Sequence, residues 1–201
     1  MITTIEELEA LYGPANPRSI TKEIPSLNAD YRAFVEAAPF IVIATAGPEG
    51  LDCSPKGDAP GFVQILDDKT IAIPDRPGNN RIDNLRNIMV DPRISVLFII
   101  PGVGETLRVN GHATISAEPA LLERFIVQGK APKTVIMVTI DSVYFHCAKA
   151  LVRSALWDSS RYLDRSKLPS AGQILQHITE GAFDGAAYDR DAPERTKQTL
   201  Y

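Results

Sequence analysis

The sequence predicts a mainly β domain with added helices, an antiparallel sheet of about seven short strands closed into a small barrel with helices packed outside it. Three observations lead there. β-Branched and apolar runs recur at short intervals from Phe40 onward, turn chemistry joins most of them as hairpins, and helical patterns fall between strands without alternating one-to-one with them. A doubly wound nucleotide fold is disfavoured on the same grounds, since neither G-x-G-x-x-G after a strand nor G-x-x-x-x-G-K-S/T is present.

The elements follow in order. Thr4 with Glu7 forms a capping box, Ile5, Leu8 and Leu11 recur at helical spacing, and Gly13 ends the helix. A Pro-punctuated connector leads to a second helix from Asn28, with Tyr31, Phe34, Val35 and Ala38 on one face and Pro39 as its stop. Strands are expected at Phe40 to Ala46 and Leu51 to Lys56, joined by a turn at Gly47 to Gly50, and at Phe62 to Leu66 and Thr70 to Pro74, joined by a turn at Asp67 to Lys69. A helix with Ile82, Leu85, Ile88 and Met89 as its stripe closes before Pro92. Strands follow at Arg93 to Ile100, Thr106 to Ile115 and Thr134 to Phe145, with a helix at Pro119 to Val127 between the last two. Residues 1–158 form the domain, and 159–201 are a C-terminal arm of it, with an amphipathic stretch at Ile174 to Ile178 and then an acidic, Ala- and Gly-rich tail.

Composition narrows the function classes. Of 201 residues 44% are hydrophobic and 23% charged, as in an ordinary globular protein. The net charge of -4 gives no long-range attraction to nucleic acid. The most apolar run, Ile94 to Ile100, stops at Pro101, far short of a membrane span, and Met1 to Leu11 lacks the basic start of a secretory signal. A cytoplasmic protein with no membrane or nucleic-acid partner is expected. Cys53 and Cys147 form no C-x-x-C pair, and His112, His146 and His177 lack the helical spacing of a two-ligand metal site, so no protein-ligated metal is expected.

Three segments carry chemistry. Asp52 to Gly61 ends a strand with two prolines, two glycines and alternating charges, which by itself is also the composition of a solvated loop. Ile73-Pro74-Asp75-Arg76-Pro77-Gly78-Asn79-Asn80-Arg81 leaves a strand and enters a helix; Asn79 or Asn80 can cap that helix, and its free amides with nearby arginines suit an anion. A plain turn with an exposed Arg81 satisfies the same residues. In the third, His146 to Trp157, a helix would set Lys149, Arg153 and Trp157 along one face, able to grip a phosphate and stack an aromatic plane, or else to be a solvated face with Trp157 in the core. His146 and Cys147 are not a catalytic dyad, because strand neighbours point to opposite faces. Together the segments suit a phosphorylated aromatic cofactor.

Four ordered motifs, Ser54-Pro55-Lys56-Gly57-Asp58 with Pro60-Gly61-Phe62-Val63, Ile73-Pro74-Asp75-Arg76 with Gly78-Asn79-Asn80-Arg81, Glu105-Thr106-Leu107-Arg108-Val109-Asn110-Gly111, and His146-Cys147 through Arg153-Ser154 to Leu156-Trp157, carry a resemblance. Over roughly Thr3 to Asp158 the chain resembles the pyridoxamine 5'-phosphate oxidase-like FMN-binding split-barrel superfamily, within it a bacterial subgroup described as probable FMN-dependent enzymes. The resemblance implies a homodimer of six-stranded split barrels with FMN at the subunit interface. It implies flavin contacts from Ser54, Pro55 and Lys56 and from Ile73, Pro74 and Asp75. Phosphate ligands would be Asn80 and Arg81 with Asn79 assisting. The family oxidase has Arg-Lys where this chain has Asn80-Arg81, so one cation is missing, which Arg76 or Lys56 could replace; Gly78 belongs to the same turn. Thr106 stands where the oxidase places a glutamine near the ring. Lys149, Arg153 and Trp157 would reach the cofactor from the partner subunit or shape the substrate side.

The oxidase's Trp- and Arg-rich C-terminal stretch is not recognisable in Glu194 to Tyr201, so vitamin B6 oxidation is not the first expectation. The expected function is an FMN-dependent oxidoreductase with a small organic substrate and an electron acceptor, its catalytic acid and base unassigned. The alternative is a non-catalytic flavin- or haem-binding protein of the same fold, with His146 or His112 as axial ligand. The deazaflavin F420, bound by relatives of the fold, is a third possibility.

Overall fold

The computed structural model describes the whole chain, Met1–Tyr201. Its elements are α1 (Ile5–Tyr12), α2 (Pro17–Thr21), α3 (Ala29–Ala37), β1 (Phe40–Gly47), β2 (Gly50–Gly57), β3 (Gln64–Ile65), β4 (Thr70–Asp75), α4 (Asp83–Val90), β5 (Arg93–Ile99), β6 (Thr106–Ser116), α5 (Pro119–Glu123), β7 (Thr134–His146), α6 (Lys149–Ser154), two short 3-10 turns, α7 (Ala171–Ile178) and α8 (Gly185–Thr199). No helix is long and apolar enough to cross a membrane.

All strands join one antiparallel sheet in the order β2-β1-β5-β6-β7-β4-β3. The strand runs of the sequence are present. The resemblance implied six strands; the seventh, β3, is a stub pairing only Gln64 with Ala72 and Ile65 with Ile71, because Phe62 and Val63 of the expected Phe62 to Leu66 strand turn into the core instead.

No ladder joins β2 to β4, which stand near opposite edges of the sheet. Their ends nevertheless meet: Lys56 Nζ lies 2.5 Å from Asp75 Oδ1, and Arg76 Nε lies 2.8 Å from Asp58 Oδ2. The sheet therefore curls until its edges approach, as accumulated strand twist favours, and side chains rather than backbone bonds bridge the remaining gap. This is an open, split barrel.

Period-2 alternation fills the interior. Ile41 and Ile43, Val96 and Phe98, Leu107 and Val109, and Ile136 and Val138 are fully or almost fully buried, and Val35 of α3 with Ile88 of α4 joins the same core. Helix α3 begins at Asn28 as expected, and Asn28 caps it, its Oδ1 accepting from the Tyr31 amide at 2.8 Å.

Helix α4 matters most for the site. It docks on β1 through a buried polar contact in which Asn84 and Asn87 each donate to Thr45 Oγ1 at 3.1 Å. Gly47 makes room, since a Cβ there would lie 2.0 Å from Asn87 Oδ1. Two expectations are corrected. Neither Asn79 nor Asn80 caps α4; Ile82 occupies that position in a left-handed conformation with no side-chain cap, because Asn79 Oδ1 instead accepts from the Arg81 amide at 3.0 Å. The stripe is likewise narrower than expected, with Ile88 buried and Leu85 half-buried while Ile82 precedes the helix and Met89 faces outward.

Other departures have local causes. In α1, Thr4 Oγ1 accepts from the Glu7 amide, but the Glu7 carboxylate turns to the Thr3 amide, so only half of the capping box forms; Gly13 ends the helix at φ 69°. Helix α5 stops at Glu123, and Gln128 with Gly129 turns the chain at positive φ. Helix α2 and the 15-residue α8 were not expected, α8 because its sequence is polar all round and interrupted by Pro193. The row of Lys149, Arg153 and Trp157 does not form, because α6 ends at Ser154 with Ala155 left-handed, which puts Trp157 outside the helix.

At the β6–β7 bulge after Asn110, a Cβ on Gly111 would lie 2.0 Å from the Thr139 carbonyl oxygen. That neighbour is backbone and cannot rotate away. Gly111→Ala is expected to cost about 3 kcal/mol in urea unfolding; a change below about 1 kcal/mol would show that the strands separate freely there.

Candidate functional site

A cleft of about 1000 Å³ opens at the barrel seam. Its walls are the ends of β2 and β4, the loop from Arg76 to Ile82, the first turn of α4, Lys133 with Thr134 at the start of β7, and Leu200 with Tyr201 beyond α8. The sheet brings these together because Asp75 pairs with Thr134 in the β4–β7 ladder while the seam ion pairs draw β2 alongside.

Most of the residues singled out in the sequence converge here. Ser54, Pro55 and Lys56 line the cleft with Pro74, Asp75 and Arg76, and so do Gly78, Asn79, Asn80 and Arg81. Ile73 does not: strand alternation buries its side chain in the core. Thr106, Lys149, Arg153 and Trp157 also lie elsewhere. Thr106 is buried opposite His146 at the far end of β7, about 40 Å of strand contour from Thr134 at roughly 3.3 Å per residue. Lys149 and Arg153 are exposed on α6, and Trp157 Nε1 donates to the Val103 carbonyl at 2.8 Å.

Charge in the cleft is largely compensated. Lys56 holds Asp75. Arg76 holds Asp58 and also donates from Nη1 to the Phe125 carbonyl at 2.7 Å. Arg81 pairs with Asp83 at 2.8 Å but remains 74% exposed. Lys56 and Arg76, the two residues expected to be able to replace the missing cation, each already neutralise a carboxylate. Lys133, which the sequence reading passed over, lines the cleft in no ion pair, and beside it Thr134 Oγ1 is buried without a hydrogen-bond partner. Only strand register reveals these two, so no local signal pointed to them.

Asp58 is the most enclosed charge, its side chain 3% exposed. Burial pushes its pKa upward, but hydrogen bonds from Tyr201, the Ala59 amide and Arg76, with the Arg76 charge, outweigh this and hold it below the ordinary carboxylate value. The Tyr201 phenol is correspondingly pushed up by its bond to Asp58 and by burial. At the α4 end, Asn80 at φ 57° and Ile82 at φ 54° are left-handed, a conformation that costs a β-branched residue about 1–2 kcal/mol. This kinked entrance leaves the first amides of α4 without a side-chain cap, at residues that line the cleft.

A family model described as pyridoxamine 5'-phosphate oxidase matches residues 27–147, more than half of the chain. The chain belongs to the pyridoxamine 5'-phosphate oxidase family. This is a flavin-binding, oxidoreductase-like family, and its matched span contains the cleft residues from Ser54 to Arg81 and Thr106 but neither α6 nor the arm that carries Tyr201. No curated protein matches the chain. Among solved structures it is similar to HupZ of Group A Streptococcus (21% identity over 58% of this chain and 91% of that one, TM-score 0.47). A Clostridium acetobutylicum protein related to general stress protein 26, of the pyridoxinephosphate oxidase family, shows 14% identity over 59% and 86% with TM-score 0.46. An F420 reductase shows 18% identity over 60% and 98% with TM-score 0.42.

Outside the cleft, His146 Nε2 is buried and unpartnered, and burial with the Arg108 and Lys22 charges pushes this imidazole below the ordinary histidine value, toward its neutral form. His112 is bonded through Nδ1 to Asp141 on an exposed surface.

Removing Arg76 isolates the Asp58 carboxylate. Arg76→Met is expected to destabilise the fold by about 3 kcal/mol in urea unfolding. Because Asp58 has a lowered folded pKa, its stabilisation is complete above the unfolded carboxylate pKa and is lost as pH falls through the folded value. Asp58→Asn should flatten that acid limb, and an unchanged acid unfolding curve would contradict the assigned environment.

Proposed function

We propose that this protein is an FMN-dependent oxidoreductase acting on a small organic substrate, with the flavin held at the interface of a homodimer. The observation that carries the reading is the seam cleft itself: in a chain of a flavin-binding family, the uncapped start of α4 opens into it beside Arg81, Asn79, Asn80 and Lys133. Amides at a helix start, a positive dipole end and exposed cations suit a phosphate monoester dianion. Thr134 supplies a hydroxyl in need of a partner, and the β2 and β4 ends supply flat apolar contact through Pro55 and Pro74. The donor set fits FMN.

In this reading Asn79, Asn80 and Arg81, with Lys133, hold the phosphate. Ser54 to Lys56 and Pro74 to Asp75 orient the ring, and the two seam ion pairs keep those strand ends in place. The bound flavin supplies the hydride or electron chemistry, and the chain supplies orientation and electrostatic tuning. Thr106, Lys149, Arg153 and Trp157 are separated from their own cleft by the length of β7, so they serve the site of a second chain. Residues 1–158 form the flavin-binding domain and 159–201 an arm of it. The net charge of -4 and the lack of a membrane-crossing helix suit a cytoplasmic enzyme working on small molecules.

One observation favours a second reading. The unpartnered His146 Nε2, kept neutral by burial, suits an axial ligand in a haem carrier of the same fold. His112, tied to Asp141, suits it less.

Titration of the purified protein separates these. Expected is FMN binding with a perturbed flavin absorption spectrum, tighter than F420 and with no Soret band on adding haemin. No binding of FMN would overturn the proposal, and haem binding lost in His146→Ala would replace it. Arg81→Ala should weaken FMN by about 1.5–3 kcal/mol, roughly tenfold or more. Mixing Arg81→Ala chains with Lys149→Ala/Arg153→Ala chains should restore one intact site per mixed dimer; no recovery would rule out a shared site.

A further inference from the structure

Helices α7 and α8 form a self-contained hairpin. Their backbones meet at Gly172 and Gly185, where a Cβ on Gly172 would lie 2.1 Å from the Gly185 carbonyl oxygen. Asp189 of α8 accepts from the Ser170 hydroxyl and from the Gly172 amide at the start of α7. Ile174 and Ile178 of α7 face outward. Two hydrogen bonds join residues 162–201 to residues 1–158, and both end on Tyr201: its hydroxyl donates to Asp58 Oδ1 at 2.7 Å, and its carbonyl accepts from Lys130 Nζ at 2.6 Å. Its ring centroid also lies 5.4 Å from the Arg76 guanidinium carbon. The arm thus meets the cleft wall only at Leu200 and Tyr201, and Tyr201 alone bonds across, on the most enclosed ion pair of the seam.

We propose that Tyr201 is a latch that ties the α7–α8 arm to the seam cleft and controls access to the cleft's Arg76 end. Closed, it fills one acceptor position of Asp58, covers the Arg76 guanidinium and places its ring and Leu200 along the cleft wall. So few contacts are made and lost together, which lets the arm open as a unit while the barrel stays folded. A ligand seated against β2 and β4 then arrives and leaves through the open state, and the arm governs its residence time. The identity of that ligand rests on the flavin reading; the latch does not.

Two measurements test it. In ligand-free protein, labelling with the arginine reagent phenylglyoxal, mapped by mass spectrometry, reads the Arg76 end directly, with Arg81 on the same cleft as internal control. Expected is a rise in Arg76 labelling of about fivefold or more in Tyr201→Ala and a smaller rise in Tyr201→Phe, which keeps the ring but loses the bond to Asp58, with Arg81 unchanged. Equal Arg76 labelling in all three proteins would overturn the latch, as would a parallel rise at Arg81, which would report general loosening. Stopped-flow FMN binding is the second arm: association and dissociation should both accelerate about tenfold in Tyr201→Ala. Rates within about twofold of wild type would remove the control of access. If wild-type protein binds no FMN, the flavin reading fails by itself, and the labelling result still decides the latch.

Discussion

The two ion pairs across the barrel seam, Lys56 with Asp75 and Arg76 with Asp58, are the constraint on which the rest of the structure depends. A twisted antiparallel sheet of this width curls toward closure, but its first strand and its penultimate one share no ladder. Closing the gap with charges requires that each enclosed carboxylate be fully hydrogen-bonded, because an isolated buried charge costs several kcal/mol. Asp58 meets that requirement with donors from Arg76, the Ala59 amide and Tyr201. The result is a polar slot where a closed barrel would have a seam of backbone bonds, and the cleft is that slot.

Neutralising the seam moves the site's charge elsewhere. With Lys56 and Arg76 committed, the cleft's remaining positive groups are Arg81, the uncapped start of α4 and Lys133. The loop at Asn79 to Arg81 keeps its shape because α4 is anchored on β1 by Thr45, Asn84 and Asn87, so a buried polar contact on the core side holds an exposed, locally strained turn in position. The length of β7 sets the other boundary. It places Thr134, on the cleft, and His146 with α6 at opposite ends of one 13-residue strand.

Much of this was legible before folding. Strand periodicity from Phe40 onward reported the sheet, Asn28 and Gly13 reported helix ends, and the runs Ser54 to Asp58 and Ile73 to Arg81 marked the segments that meet in the cleft. These signals are local: alternation, capping and turn chemistry act over a few residues. The errors are also instructive. Asn79 has the chemistry of a helix cap but spends its oxygen on a turn around Arg81, and Trp157 has helical spacing from Arg153 but lies beyond a left-handed Ala155.

What the sequence determined by itself is the set of elements, the fold class they build, and which segments are too rich in Pro, Gly, Asn and charge to be explained by packing. Tertiary structure alone decided which charges are spent and which remain. Asp58 and Arg76 are 18 residues apart, Tyr201 and Asp58 are 143 apart, and Thr134 faces Asp75 only through strand register. Such contacts carry no periodic trace because they are set by how far the sheet curls and where the arm returns. The physical reason is that a charge's role depends on its partner and its burial, and both are properties of the assembled barrel rather than of any stretch of chain.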